Sequence, residues 1–311
     1  MNFINVDSKK LSSMTIGTVQ LGMNYGIANE GGKPDEEKSF SMLRAAFENG
    51  VTALDTARAY GDSEDVIGRF LGTWQGERPY IATKIKQCPD NETSFEKHAI
   101  NSIETSLGKL GVDKVDTLML HSPSDLFKFG KNAVDVLESI QKRGYAERIG
   151  VSVYVANEVE EMLKYPSLTV TQVPMSIFDQ RLIASGTVNK LKERDCVVFV
   201  RSVFLQGLFF LDPDKMTDPI LLEHAAPKIR ILRDIAAAEG MSIAELAIAF
   251  MRDTVGVTSL VLGADTAEQV KENIAYFDTL TLSDSAMKNI RENFANVDIP
   301  EIMKVLSRPK K

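Results

Sequence analysis

Cysteine, histidine and tryptophan are scarce in this 311-residue chain, which holds two, three and one of them respectively. Cys88 and Cys196 stand far apart and outside any metal-ligand spacing, so neither a disulfide framework nor a cysteine-built metal site is expected, and a reducing, cytoplasmic setting is. His98, His121 and His224 are not spaced as metal ligands and join no carboxylate–histidine cluster, which argues against metal dependence. No run approaches the ~18 apolar residues of a membrane helix, and the start, MNFINVDSKKLSS, lacks the apolar core of a signal peptide. Lysine and arginine number 36 against 43 aspartates and glutamates, a formal charge of −7, so no nucleic-acid partner is expected. A Rossmann-type G-x-G-x-x-G turn is also missing, since GTVQLG carries glycines only at positions 17 and 22.

What is present is ordinary globular material, 44% hydrophobic and 25% charged, with no linker or low-complexity run; residues 1–311 read as one domain. Short runs rich in Val, Ile, Leu and Thr recur at MTIGTVQ, VTALDTA, YIATKIK, VDTLMLH, RIGVSVY, TVTQVPM, VVFVRSV and VTSLVLG. They lack clean alternation, as strands covered on both faces do. Helical patterns lie between them, the clearest being DEEKSFSMLRAAFENG, with Pro34 at its start and Gly50 as its stop. Strand and helix alternating eight times predict an α/β fold of the (β/α)8 TIM-barrel type. NFINVDSKKLSSMTI predicts an N-terminal hairpin over the barrel floor, and TAEQVKENIAYF and SDSAMKNIREN predict two extra C-terminal helices before a basic, mobile SRPKK end. The interval from Val203 to Val257 is the longest and carries an aromatic loop, the pattern of a lid over a site. Further pocket walls are expected from loops Val19 to Asn24 and Ser122 to Gly130.

Four residues fall at or just past strand ends: Asp55, Tyr60, Lys84 and His121. Singly each has an ordinary reading, as a turn former, a turn tyrosine, a snorkelling lysine or a core histidine. Lys84 is the least ordinary, because YIATKIK reads as an interior strand and a lysine there needs a carboxylate partner, which Asp55 supplies if both tips open on one face. An ammonium next to a phenol lowers its pKa, which would make Tyr60 a usable acid near neutrality. Trp74 and Cys88 read as packing residues, and His98 and His224 as surface residues.

LDTARAYG with GDSEDVIG, ATKIK and LMLHSP resemble, in order, the aldo-keto reductases, and the resemblance extends through GTVQLG, IGVSVY, TQVPMS, VRSVFLQGL and LVLGADTAEQVKEN. It implies a (β/α)8 barrel and reversible NAD(P)(H)-dependent reduction of a small aldehyde, ketone or sugar carbonyl. Tyr60 is then the general acid, Lys84 and Asp55 its partners, and His121 the residue that orients the carbonyl. The alternative that the family admits is a non-catalytic, cofactor-binding subunit that senses redox state. By the same resemblance Ser152 and Gln172 hold the nicotinamide carboxamide near Gly17 and Thr18. Ser202, Phe204, Gln206 and Gly207 line the pyrophosphate passage. Gly263, Asp265, Gln269, Glu272 and Asn273 form the adenosine end. The chain departs from the family at Val153, at Arg201 in place of an aromatic under the nicotinamide, and at Asp265. The resemblance ranks NADP(H) first, whereas an acidic Asp265 is compatible with NAD(H). Arg201 in an apolar strand must meet a carboxylate, a phosphate or an aromatic face.

Overall fold

A computed structural model of the chain describes residues 1–29, 31–92, 94–278 and 281–308; Pro309, Lys310 and Lys311 of the basic end lie outside the described residues. All eight aliphatic runs form parallel strands: β3 (Met14–Gly17), β4 (Ala53–Asp55), β5 (Tyr80–Ile85), β6 (Val115–Leu120), β7 (Ala146–Ser152), β8 (Leu168–Pro174), β9 (Val197–Arg201) and β10 (Ser259–Leu262), which close into a barrel with β10 beside β3. Every residue of β3, β4, β5 and β6 is buried, which explains the missing alternation: the barrel interior takes one face and the outer helices the other.

Ahead of the barrel, β1 (Phe3–Val6) and β2 (Lys9–Ser12) pair as the expected antiparallel hairpin. Val6 and Leu11 pack on Tyr80, Met119, Val170 and Phe199 across the N-terminal ends of the strands. Lys9 and Arg78 both reach Asp116, at 2.8 and 3.2 Å, and tie the hairpin to the floor. With the floor shut, the C-terminal rim is the open end. Trp74 packs on Phe47 and Phe70 with ring centroids 5.7 and 5.6 Å away, as a structural residue does.

Four details differ from the sequence reading, and one is that Val19–Gly22, inside the expected loop Val19 to Asn24, is a short helix. The first long helix runs Glu36–Glu48 with Asp35 as its cap, so Pro34 stands one residue before the cap rather than inside the first turn. Ser122 to Gly130 is not a loop: Ser122 caps a helix, Pro123–Phe129, whose proline sits in the first turn, where its missing N–H has no partner to lose. Beyond Ala267–Tyr276 and Asp284–Phe294 there is a third C-terminal helix, Ile299–Leu306, capped by Asp298 and burying Ile299, Ile302, Val305 and Leu306. The Val203 to Val257 insertion begins with a 3₁₀ segment, Leu205–Phe210, whose Leu205, Leu208 and Phe209 are core, so its aromatics are shared between packing and the rim. Its Gln206 carbonyl accepts from Ile27 N at 2.8 Å, joining it to the loop after β3. No helix among the described residues is long and apolar enough to cross a membrane.

The outer layer is close-packed backbone to backbone at Gly68, where a Cβ would fall 1.9 Å from the Lys109 carbonyl oxygen on the neighbouring helix. Alanine is the better helix former by about 1 kcal/mol, but the overlap forces the two helices apart and costs more. Gly68→Ala is therefore expected to lower stability by about 1–3 kcal/mol in denaturant melts, against its helix propensity.

Candidate active site

The site starts with two adjacent strand ends. In the β4–β5 register Asp55 faces Ala82, so Lys84, two residues on, projects from the same inner face one step nearer the rim. Lys84 is fully buried and Asp55 is 2% exposed. The Lys84 ammonium donates to Asp55 Oδ1 at 2.6 Å and to the Thr56 carbonyl at 3.0 Å. Gln172 Nε2, from β8 across the barrel, donates to the same carboxylate oxygen at 2.8 Å. Burial pushes the Lys84 pKa down while Asp55 draws it back up. The implied role of Gln172 toward a carboxamide thus has a competitor, because its amide N–H₂ already serves Asp55.

Tyr60 is delivered by the loop after β4. Thr56 N and Arg58 N continue the β5 pairing to Ala82 and Lys84 carbonyls at 2.9 and 3.2 Å. Buried Glu64 takes hydrogen bonds from Arg58 at 2.8 Å and Thr83 at 2.7 Å, pinning loop to strand. Two glycines let this loop meet the segment after β3: a Cβ at Gly22 would fall 1.7 Å from the Tyr60 carbonyl oxygen, and one at Gly61, which has φ +57°, would fall 2.2 Å from that of Gly22. The Tyr60 ring then lies with its centroid 5.0 Å from Lys84 Nζ. His121, immediately after β6, meets it edge-on at 5.5 Å and 85°.

All four expected residues therefore share one site, but one electrostatic expectation is overturned. The Tyr60 pKa is raised, not lowered: burial dominates, and Asp55 adds to it against the opposing pull of Arg201. The physical reason is the depth of the ring, together with Asp55, which sits against Lys84 Nζ and offsets the ammonium's pull on the phenol. His121 is held down to about 3 by burial and by the charges of Lys84 and Arg201, so its imidazole is neutral.

Asp55 and Tyr60 line one end of a cavity of about 830 Å³ that runs to Glu272, Asn273 and Tyr276, while Lys84 and His121 stand behind that wall. Every residue that the resemblance placed on the nucleotide lines it except Ser152, which is buried at the tip of β7 opposite Gln172. The shape and chemistry fit a dinucleotide. Gln20 Oε1 is buried without a hydrogen-bond partner among the described residues, and the Gln20 amide lies over Gly263, where a Cβ would fall 2.2 Å from Nε2 and displace it. The helix Ala267–Tyr276 presents its capped N-terminus beside Asp265, whose N–H donates to Gln269 Oε1 at 2.7 Å.

Sequence reasoning missed several residues of the cavity wall. Tyr25 lines it one residue past the expected Val19 to Asn24 wall, its pKa pushed up to about 12 chiefly by burial, then by Tyr60. Its signal was an aromatic before Gly26 in a rim loop. Gln20 falls inside the expected Val19 to Asn24 wall and Arg233 inside the expected insertion, though neither was singled out, and Tyr276 carried no pattern at all. Arg201 lines the cavity and finds an aromatic face, the Tyr154 ring at 4.4 Å, rather than an acid on the barrel rim. Cys88 is buried and its N–H donates to Asp125, and burial pushes its thiol pKa up, so it is not an activated thiol. His98 lies 2.7 Å from the Lys86 carbonyl and His224 next to Glu223; neither reaches the site.

The sequence profile of the Aldo/keto reductase family matches residues 13–294. The chain belongs to that family of NAD(P)H-using oxidoreductases, and it is an enzyme of that class. It is 24% identical to an L-glyceraldehyde 3-phosphate reductase of Escherichia coli over 93% of this chain and 92% of that protein. It is also 24% identical to a probable voltage-gated potassium channel subunit beta of Oryza sativa, over 84% and 88% of the two chains. Among solved structures, a holo-form aldo-keto reductase of Bacillus halodurans superposes with a TM-score of 0.76 at 20% identity, covering 94% of this chain and 96% of that one.

The His121 environment makes a stability prediction. The folded imidazole refuses a proton until about pH 3, whereas the unfolded one takes it up near 6.5, so the unfolded state binds more protons between these limits. Stability present above pH ~6.5 is lost as pH falls, with a slope of at most about 1.4 kcal/mol per pH unit from this group. Thermal melts are expected to show a shallower acid decline for His121→Asn than for the parent between pH 6.5 and 4.

Proposed function

We propose that this protein reduces the carbonyl of an aldehyde, ketone or sugar with NAD(P)H, with Tyr60 as proton donor. The observation that carries the reading is the buried Asp55–Lys84 pair beneath a protonated Tyr60 and a neutral His121, at one end of a cavity long enough for a dinucleotide. The bound nucleotide supplies the hydride. As negative charge grows on the carbonyl oxygen, the neutral His121 offers an N–H to it without surrendering a proton early. Tyr60 keeps its proton across the whole working pH range and gives it to the nascent alkoxide, which is a stronger base than phenolate. Lys84, held charged by Asp55, stabilises the phenolate that remains.

Removing only the hydroxyl isolates this role. Tyr60→Phe is expected to cut kcat by ~10²-fold or more with little change in nucleotide affinity, measured by NAD(P)H oxidation and by fluorescence titration. Unchanged turnover sinks the assignment. The regulatory alternative, which has the channel subunit relative in its favour, requires tight nucleotide binding with no turnover of any small aldehyde.

For the nucleotide, the lining supports NAD(H) over the NADP(H) that the resemblance ranks first. Asp265 and Glu272 line the adenosine end, and the one cation beside Arg201 in the cavity wall among the described residues, Arg233, is already turned to the Leu211 carbonyl at 3.2 Å and to Asp212 at 3.9 Å. A 2′-phosphate thus meets acid rather than base. Asp265→Ser is expected to raise kcat/KM for NADPH relative to NADH, modestly because the position is open to solvent screening. A ratio that does not move means that Asp265 does not face the ribose.

A further inference from the structure

The charges around Tyr60 do not cancel. Lys84 is neutralised by Asp55 at 2.6 Å, and Tyr60, Tyr25 and His121 are all uncharged near neutrality. Arg201, at the C-terminal end of β9, is left over. Among the described arginines, those with no acidic group within 4.0 Å are Arg44, Arg143, Arg194, Arg201 and Arg291. Four of these are exposed, where water serves; Arg201 alone is recessed.

Its guanidinium is also held still and held short of partners. The plane lies over the Tyr154 ring at 4.4 Å. Its one protein hydrogen bond among the described residues, from Nη1 to Ser202 Oγ, is long at 3.4 Å, and Nη2 is buried with none. Ser202 takes a left-handed φ of 65°, as do Leu205 and Gln206 nearby, a cluster of backbone strain of the kind that accumulates where a site must be shaped. A withdrawn guanidinium with an unfilled donor is expensive unless something anionic completes it. Its fork geometry suits a carboxylate or phosphate taken by two parallel hydrogen bonds.

We infer that Arg201 is the recognition group for an oxyanion carried by the substrate, so that the preferred carbonyl compounds bear a carboxylate or phosphate within reach of the carbonyl being reduced. The inference rests on the carbonyl-reductase reading above and adds the substrate class to it. Arg201 is close enough to the reacting groups for this: its charge reaches Tyr60, His121 and Lys84. Tyr154, 44% exposed and outside the cavity lining, gives the guanidinium its stacking face.

The test uses matched pairs at saturating nucleotide: butanal against succinic semialdehyde for the carboxylate, and glyceraldehyde against glyceraldehyde 3-phosphate for the phosphate. The quantity read is the ratio of kcat/KM for the charged member to that for the neutral one, in which any effect of Arg201 on nucleotide binding cancels. The parent enzyme is expected to favour the charged member of at least one pair, and the pair that responds identifies the oxyanion. Arg201→Met is expected to collapse that ratio by about 10- to 100-fold, the loss of a charge-assisted, two-point contact, and Arg201→Lys to restore part of it. Rising KCl is expected to shrink the parent ratio without any substitution, which keeps the test alive should the methionine variant fold poorly. Neutral aldehydes turned over with no preference for either charged partner overturn this inference alone. A ratio indifferent to Arg201→Met or to salt does so too, since Arg201 then serves the nucleotide or the fold. No turnover of any of the four compounds overturns the carbonyl-reductase reading together with it.

Discussion

The buried ion pair between Asp55 and Lys84 is the constraint on which the rest of the site depends. Two charges withdrawn from water are tolerated only because they are 2.6 Å apart and because Gln172 and the Thr56 carbonyl satisfy remaining valences. Removing either partner strands the other in the barrel interior, at a cost of about 3–5 kcal/mol. The pair therefore cannot drift, and β4, β5 and β8 are held in one relative position by it. It also sets the electrostatic state of the phenol above it: an ammonium alone would favour phenolate, whereas an ammonium neutralised by its own carboxylate leaves burial to dominate, and Tyr60 stays protonated.

The barrel divides its two ends between stability and chemistry. At the floor, Lys9, Arg78 and Asp116 tie the hairpin across the strand starts, and the small cluster beneath is apolar. At the rim, loops are locked to one another by backbone contact that excludes side chains, as where Gly22 and Gly61 bring the segment after β3 against the segment carrying Tyr60. The proposed role of Tyr60 as proton donor from a loop needs such support to hold its position to within a fraction of an ångström. Glu64 adds to it from below through Arg58 and Thr83.

Arg201 gives the rim an asymmetry that the four-residue set lacks. With Asp55 and Lys84 balanced and the imidazole neutral, the field at the reacting end of the cavity is that of one guanidinium lying on Tyr154. On the reading proposed above, a fixed cation there would disfavour an oxidised, cationic nicotinamide relative to a reduced, neutral one.

The sequence by itself determined the eight strands, because strands covered on both faces must be short, aliphatic and unalternating, and it determined that Lys84 needed an acid, because a lysine in such a strand has no other way to stay charged. It determined which segments meet at the rim, since residues at the C-terminal ends of parallel strands share one end of a closed barrel. Three things were decided only by the tertiary structure. The sign of the Tyr60 pKa shift depended on where Asp55 lies relative to Lys84 and on how deeply the ring is buried, neither of which is a property of the loop's sequence. The choice for Arg201 between an acid and an aromatic face turned on Tyr154, which stands two residues past the end of β7 and is separated from Arg201 in the chain by all of β8. Which side chains of the expected wall segments face the cavity, Gln20 and Arg233 among them, and that Tyr25 joins them, followed from loop and insertion geometry, in which side-chain direction comes from contacts made across the fold rather than from any local periodicity.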